Sequence, residues 1–279
     1  MSVFDTLWDA LLPLLAPLEG FADFTIFFLV IEYIITTLVF GLLYKVVGWA
    51  NSKCIQGSFG WKGYVILGSV GVIYHELSHM IMAKLFGHKI EEVKLFSPMQ
   101  GKEDGTLGYV IHSWNNSIPI QRIGNFFIGT APMFFGAGLL FVALRLAYPD
   151  IFVDVGQVRG VQNSLEYVFN NMFQRDNFLS IGTPFVILIM VTICPQMHMS
   201  WSDVKGAIIG AVSFIFTTFI LSFIFNFMPS NVMYQIVNVL NTFVVYYTHA
   251  LILGLLTSTA MTASFCPILL IRRKFFKII

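Results

Sequence analysis

The sequence predicts an all-α polytopic membrane protein of about six transmembrane helices, with one short β-hairpin between the second and third. Three observations carry that prediction. Hydrophobic residues make up 57% of the 279 and charged residues only 11%, where a soluble domain carries about 25% charge. Mean hydropathy is +0.78. Apolar runs approaching or exceeding the roughly 20 residues that cross a hydrocarbon core recur along the chain, separated by short polar connections.

The elements follow in order. Residues 1–20, "MSVFDTLWDALLPLLAPLEG", carry Asp5 and Asp9 and no basic n-region, which argues against a cleaved secretory signal and favours a short interfacial helix. The first span is expected over about 23–47 and the second over about 61–86. Residues 88–118 then alternate as "IEEVKLF" and "TLGYVIHSW" around the turn-rich "SPMQGKEDG", the pattern of a β-hairpin. The third span is expected over about 120–147, and residues 149–177 form a polar loop. A short fourth span containing Pro184 is expected over about 178–194, a fifth over about 203–228 and a sixth over about 235–268. No internal repeat divides residues 1–279, so they read as a single domain.

Charge and cysteine usage exclude several functions. A net charge of +1 points to no nucleic-acid partner. Cys54, Cys194 and Cys266 lack C-x-x-C spacing, so neither a disulfide framework nor a cysteine metal site is expected. With both termini placed in the cytoplasm, ten Lys and Arg fall on the cytoplasmic side and six outside, which sets the predicted orientation.

The chemistry concentrates in "YHELSHMIMAKLFGHKIEEVKLF", residues 74–96. On a helix, His75 and His79 project from one face and can hold one metal ion side by side. Glu76 lies about 100° around the helix, placed to reach a metal-bound water without being a ligand. This is the division of labour in zinc hydrolases: two imidazoles, a general-base glutamate and an open water position. Ionisable groups inside a span are costly, and three within five residues is a heavy penalty for packing alone.

A third protein ligand is needed. His88 misses the spacing that would extend the motif, and Glu91, Glu92, Asp104 and His112 read as solvated hairpin surface. Glu166 would serve only if the 149–177 loop folded back. Asp203, in "PQMHMSWSDVKG", stands at the start of the fifth span, where it is either a helix cap or the missing ligand. If the fourth span crosses, parity returns the chain to the face on which the second span ends. Asp203 then shares a side with His79, which lies about 10 Å deep. His198 is an alternative ligand, a hydrogen-bond donor to the transition state, or an interfacial histidine with no special role. Glu32 lies about 13 Å along the first span from Asp23, at the predicted level of the two histidines. It reads either as a protonated carboxyl hydrogen-bonded to a neighbouring helix or as an outer partner of a ligand imidazole.

These residues resemble the site-2 protease family of intramembrane zinc metalloproteases. In that family H-E-x-x-H on a span is followed by a glycine, a Val/Ile-rich strand and a short sheet. The likeness covers residues 64–112 well and the six-span core loosely. It implies that His75 and His79 ligate Zn2+, that Glu76 activates water, and that a later aspartate, here Asp203, completes the site. It also implies a single-span membrane protein as substrate, cut within the lipid bilayer from the cytoplasmic side. "WSDVKG" has its glycine three residues after the aspartate where the family has it directly after, and no PDZ-sized insertion is present. "GNFFIGTAPMFFG" is similar to the family's Asn/Gly/Pro-rich segment in a different order, which extends a substrate-binding role to Asn125. The expectation is a divergent, minimal member. Two other readings stand beside it: a Ste24-like membrane metalloprotease with Glu166 as third ligand, and a non-catalytic metal-binding scaffold or transporter.

Overall fold

The computed structural model describes residues 24–148, 170 and 182–276. The expected interfacial helix at 1–20, most of the 149–177 loop and Glu166 lie outside the described residues. Helix α1 (Thr25–Leu85) is followed by strand β1 (Lys89–Lys94), helix α2 (Pro98–Asp104) and strand β2 (Tyr109–Ser113). Helices α3 (Pro119–Gly129), α4 (Ala131–Ala147) and α5 (Thr183–Thr192) come next. A 3-10 turn (Cys194–Gln196) leads to α6 (Trp201–Phe225) and α7 (Ser230–Phe276).

The first two expected spans correspond to two helical limbs of α1, 25–59 and 61–85, which meet at a kink. α1 runs without a loop through residues 48–60 and breaks only at Gly60, whose φ of 71° and ψ of −175° leave the helical region. Glycine alone tolerates that φ without strain. Arg272 secures the break: its guanidinium donates to the carbonyls of Ser58 (2.7 Å) and Gly57 (3.4 Å). Those carbonyls end a helical run, where a cation is favoured.

Among the described residues, three helices are long and apolar enough to cross a membrane: α1, α6 and α7. The number is four if α3 and α4, bent by 62° at Thr130, form one broken span. Of the expected fourth span, the described residues hold a shorter apolar helix, α5 together with the 3-10 turn that continues it (Thr183–Gln196). Large apolar side chains such as Ile66, Val70, Val212, Phe216 and Leu256 face outward, a surface suited to lipid.

The limb of α1 before Gly60 (25–59) is the spine of the packing. It runs antiparallel to α6: Phe24 stacks on Phe219 at 5.9 Å, and Lys45 lies 4.4 Å above the Trp201 ring at the opposite end. It runs parallel to α7, with Thr37 bonded to Tyr247, Tyr44 to the Leu251 carbonyl and Ser58 to the Phe265 carbonyl. The core between them is built on Tyr44, Phe126, Met133, Leu140 and Leu251, all fully enclosed. α3 lies antiparallel against α6 at close range, because Gly129 faces the Asp203 carbonyl and Gly210 faces the backbone of Phe126. Small residues at such a crossing let two helix backbones approach.

The alternation between 88 and 118 does form a hairpin. β1 and β2 pair antiparallel from Lys89↔Ser113 to Lys94↔Tyr109, with an irregularity between Ile90 and Glu92. Its tip is the short helix α2, closed by Gly105 in the left-handed region (φ 84°), where the sequence pattern had suggested a turn.

Candidate metal centre

His75 and His79 face each other from successive turns of α1, with their Nε2 atoms 3.1 Å apart. Both rings are buried, at 6% exposure each. Their other nitrogens are committed. Nδ1 of His75 donates to the Gln196 carbonyl at 2.8 Å, and Nδ1 of His79 donates to the Ile128 carbonyl at 2.7 Å. A carbonyl only accepts, so both protons sit on Nδ1 and both Nε2 atoms present bare lone pairs to one another. Two such acceptors in contact are reconciled by a shared proton or by a metal ion bound between them.

Local sequence explains why those two carbonyls lack the i+4 donor of a regular helix. In an unbroken helix the Ile128 carbonyl would accept from the N–H of residue 132, which is a proline and has none. The same proline helps set the 62° bend at Thr130. The Gln196 carbonyl ends the 3-10 turn, and the N–H four residues on, that of Ser200, is turned instead to the Asp203 carboxylate.

Asp203 completes the group. Its Oδ2 lies 3.6 Å from Nε2 of His79 and 4.0 Å from Nε2 of His75. The same carboxylate accepts from the Ser200 N–H at 2.7 Å, while Ser200 Oγ accepts from the Asp203 N–H at 3.2 Å, forming a capping box. Capping thus fixes the carboxylate as it faces the histidines. Ligand atoms of His75, His79 and Asp203 all lie within 4.8 Å of one another, so the three could hold a metal ion. A tetrahedral ion with metal–nitrogen bonds near 2.0–2.1 Å needs its nitrogens about 3.3 Å apart, close to the spacing found.

No family model, curated protein or solved structure matches this chain. The site therefore rests on its own geometry.

The other sequence candidates separate clearly. Glu76 is half-buried beside the group, and a Cβ built on Gly108 would stand 2.7 Å from its Cγ. The hairpin backbone therefore covers it. His198 does reach the site, its ring centroid 5.2 Å from that of His75, with Gly48 of α1 leaving the space it occupies. Asn125 is buried in α3 and donates only long bonds, 3.4 Å, to carbonyls of its own helix. It is one turn from the Ile128 that anchors His79, but it is not part of the ligand group.

Glu32 lies in the first half of α1, one residue before Tyr33. α1 meets His198 at Gly48, sixteen residues further on, which is about 24 Å along the axis. The Tyr33 ring packs on Phe126, Phe243 and Tyr247. Sequence reading missed the two anchoring carbonyls; Pro132 was the available signal for that of Ile128, and the Ser200–Asp203 cap for that of Gln196. It also missed that His88 and His112, read as a non-ligand and as solvated surface, form a contact pair, Nδ1 to Nδ1 at 3.0 Å. Glu91 and Glu92 are exposed as expected, bonded to Ser113 and Tyr109.

Proposed function

We propose that the chain is an intramembrane zinc endopeptidase that hydrolyses a peptide bond in or near the transmembrane segment of a single-span protein, and that it is a divergent relative of the site-2 proteases. One observation carries the reading. Two imidazoles with their Nδ1 protons fixed on backbone carbonyls present bare Nε2 atoms and a carboxylate to one point, and a glutamate follows the first of them on the same apolar helix. Two histidines and a carboxylate with a further position open is the donor set of catalytic zinc.

His75, His79 and Asp203 would hold the ion. Bound there, zinc would supply Lewis-acid chemistry, acidifying a water and polarising the scissile carbonyl. Glu76 then takes the proton from the attacking water and returns it to the departing amide nitrogen, so the peptide C–N bond breaks as the new C–O bond forms. His198, beside His75, is placed to donate a hydrogen bond to the oxygen on which negative charge develops. Asn125 supports α3 in this reading and does not touch substrate. Among the described residues the hairpin is a two-stranded sheet, and an extended substrate could add as a strand at its edge, which would satisfy its backbone away from water.

The competing readings lose their motivation at the same residues. A Ste24-like site needs a glutamate as third ligand, whereas Asp203 already faces both histidines. A structural metal site has no use for Glu76. The test is purified Glu76→Gln protein, assayed for zinc by atomic spectroscopy and against a panel of single-span substrates. The expected outcome is normal zinc with cleavage reduced at least ~100-fold, the scale of general-base catalysis. Full activity in that variant, or no bound zinc in the wild type, would reject the mechanism.

A further inference from the structure

Both feet of the hairpin are tied to one residue at the start of α3. The Gln121 carboxamide nitrogen donates to the Gly87 carbonyl at 2.9 Å, just before β1. Its carboxamide oxygen accepts from the Asn115 N–H at 2.7 Å, just after β2. The main-chain carbonyl of Gln121 accepts from Nε2 of His88 at 2.8 Å. That last bond fixes the His88 tautomer: its proton is on Nε2, so Nδ1 is a bare acceptor. Nδ1 of His112, 3.0 Å away on β2, is then the donor. Trp114 closes the cluster, its ring stacked 5.8 Å from that of His88 and tilted against that of His112 at 5.9 Å. Gly124, one turn along α3, allows the approach, since a Cβ there would stand 3.1 Å from His88 Nε2.

The other end of the same strands reaches the proposed general base. Gly108 directly precedes β2 and lies against Glu76. A Cβ at Gly108 would meet Glu76 Cγ at 2.7 Å and the carbonyl oxygens of Leu95 and Lys94 at 2.9 and 3.0 Å. Four strand positions, about 13 Å, separate His112 from Gly108. An isolated two-stranded sheet is marginal in itself, so its position is set by what holds it from outside. Gln121, His88 and His112 hold one end, and Glu76 touches the other.

We propose that Gln121, acting with His88 and His112, is a positioning residue for the hydrolysis. It locks the hairpin feet onto α3 and so sets where the Gly108 backbone lies over Glu76. The inference rests on the proteolytic reading for the role of Glu76, but the mechanical linkage does not. Displacements of about 1 Å at a reacting group cost on the order of 100-fold in rate, so a loosened foot should be felt in turnover. None of the cluster's hydrogen bonds reaches His75, His79 or Asp203, so metal binding should be spared.

The experiment compares wild type, Gln121→Ala and Gln121→Glu as full-length detergent-purified proteins. Three quantities are read: zinc content, amide hydrogen exchange across residues 89–113, and kcat and KM on a cleaved single-span substrate. Gln121→Ala should keep its zinc, exchange the hairpin amides at least ~10-fold faster, and lose roughly 10- to 100-fold in kcat/KM. Gln121→Glu keeps an acceptor for Asn115 and loses the donor to Gly87, so it should fall between the other two. Wild-type exchange in Gln121→Ala overturns the linkage. Faster exchange with unchanged kcat/KM overturns the positioning role. Zinc lost in proportion to activity also overturns it, because the residue is then a general structural support. A wild-type protein that cleaves no substrate defeats the proteolytic reading, and the exchange measurement still decides the linkage.

Discussion

Replacing Asp203 with asparagine and with alanine separates the helix cap this carboxylate forms from the metal-ligand role proposed for it. Oδ2 accepts from the Ser200 N–H at 2.7 Å and stands 3.6 and 4.0 Å from the ligand nitrogens of His79 and His75. Asparagine retains a side-chain oxygen for the Ser200 N–H, so the cap survives, but it brings no negative charge to the metal. Alanine removes both. Loss of the cap costs about 1 kcal/mol of stability. Loss of one of three ligands should exceed the 10- to 100-fold typical of outer partners, so at least ~100-fold in metal affinity, or about 2.7 kcal/mol. Metal-free Asp203→Asn should therefore unfold within a few tenths of a kcal/mol of metal-free wild type, and Asp203→Ala about 1 kcal/mol below it. Zinc titration should show both variants weakened by a similar factor of at least ~100. Chemical denaturation of the stripped proteins and competition with a chelator of known affinity supply the two numbers. Wild-type zinc affinity in Asp203→Asn would refute the ligand assignment and leave Asp203 as a cap alone.

Pro132→Ala should restore an N–H to the Ile128 carbonyl, draw that carbonyl away from His79, and weaken zinc binding roughly tenfold. Chelator competition checks it, and unchanged affinity would mean the His79 anchor does not depend on the missing donor. Glu32→Gln should leave zinc affinity and turnover at wild-type levels, because the residue stands about 24 Å along α1 from the level of His198. A tenfold loss in either would overturn that placement. The hairpin should also respond to pH. The His112 imidazole is pushed down from 6.5 to about 4, by burial first and then by the neighbouring His88 and the more distant His79, against an opposite pull from Asp203. Between those values the released hairpin binds a proton that the seated one does not. Seating is therefore at full strength above about pH 6.5 and weakens as pH falls towards 4. Hydrogen exchange of residues 89–113, corrected for the intrinsic rate, should show lower protection at pH 5 than at pH 7. Equal protection would reject the shift.

Local sequence determined the chemistry of this protein. Spacing alone places His75 and His79 on one helical face with Glu76 beside them, because 3.6-residue periodicity is a property of the chain and needs no partner. The period-2 alternation after Gly87 fixes the hairpin, and the serine three residues before Asp203 fixes the cap. Apolar composition fixes the helices long enough to cross a membrane, although not their number. The sequence could not show that the limb of α1 before Gly60 runs 35 residues (25–59), longer than a single crossing needs. Depth counted from Asp23 puts Glu32 level with the histidines, and counting alone did not reveal that the packed helix meets His198 at Gly48. Tertiary structure also decided which backbone carbonyls turn the imidazoles. It placed His88 and His112, 24 residues apart, in contact, and it laid Gly108 on Glu76. Those are meetings between distant segments. They depend on where the bend at Thr130 and the break at Gly60 aim whole helices, and periodicity within one segment carries no information about that direction.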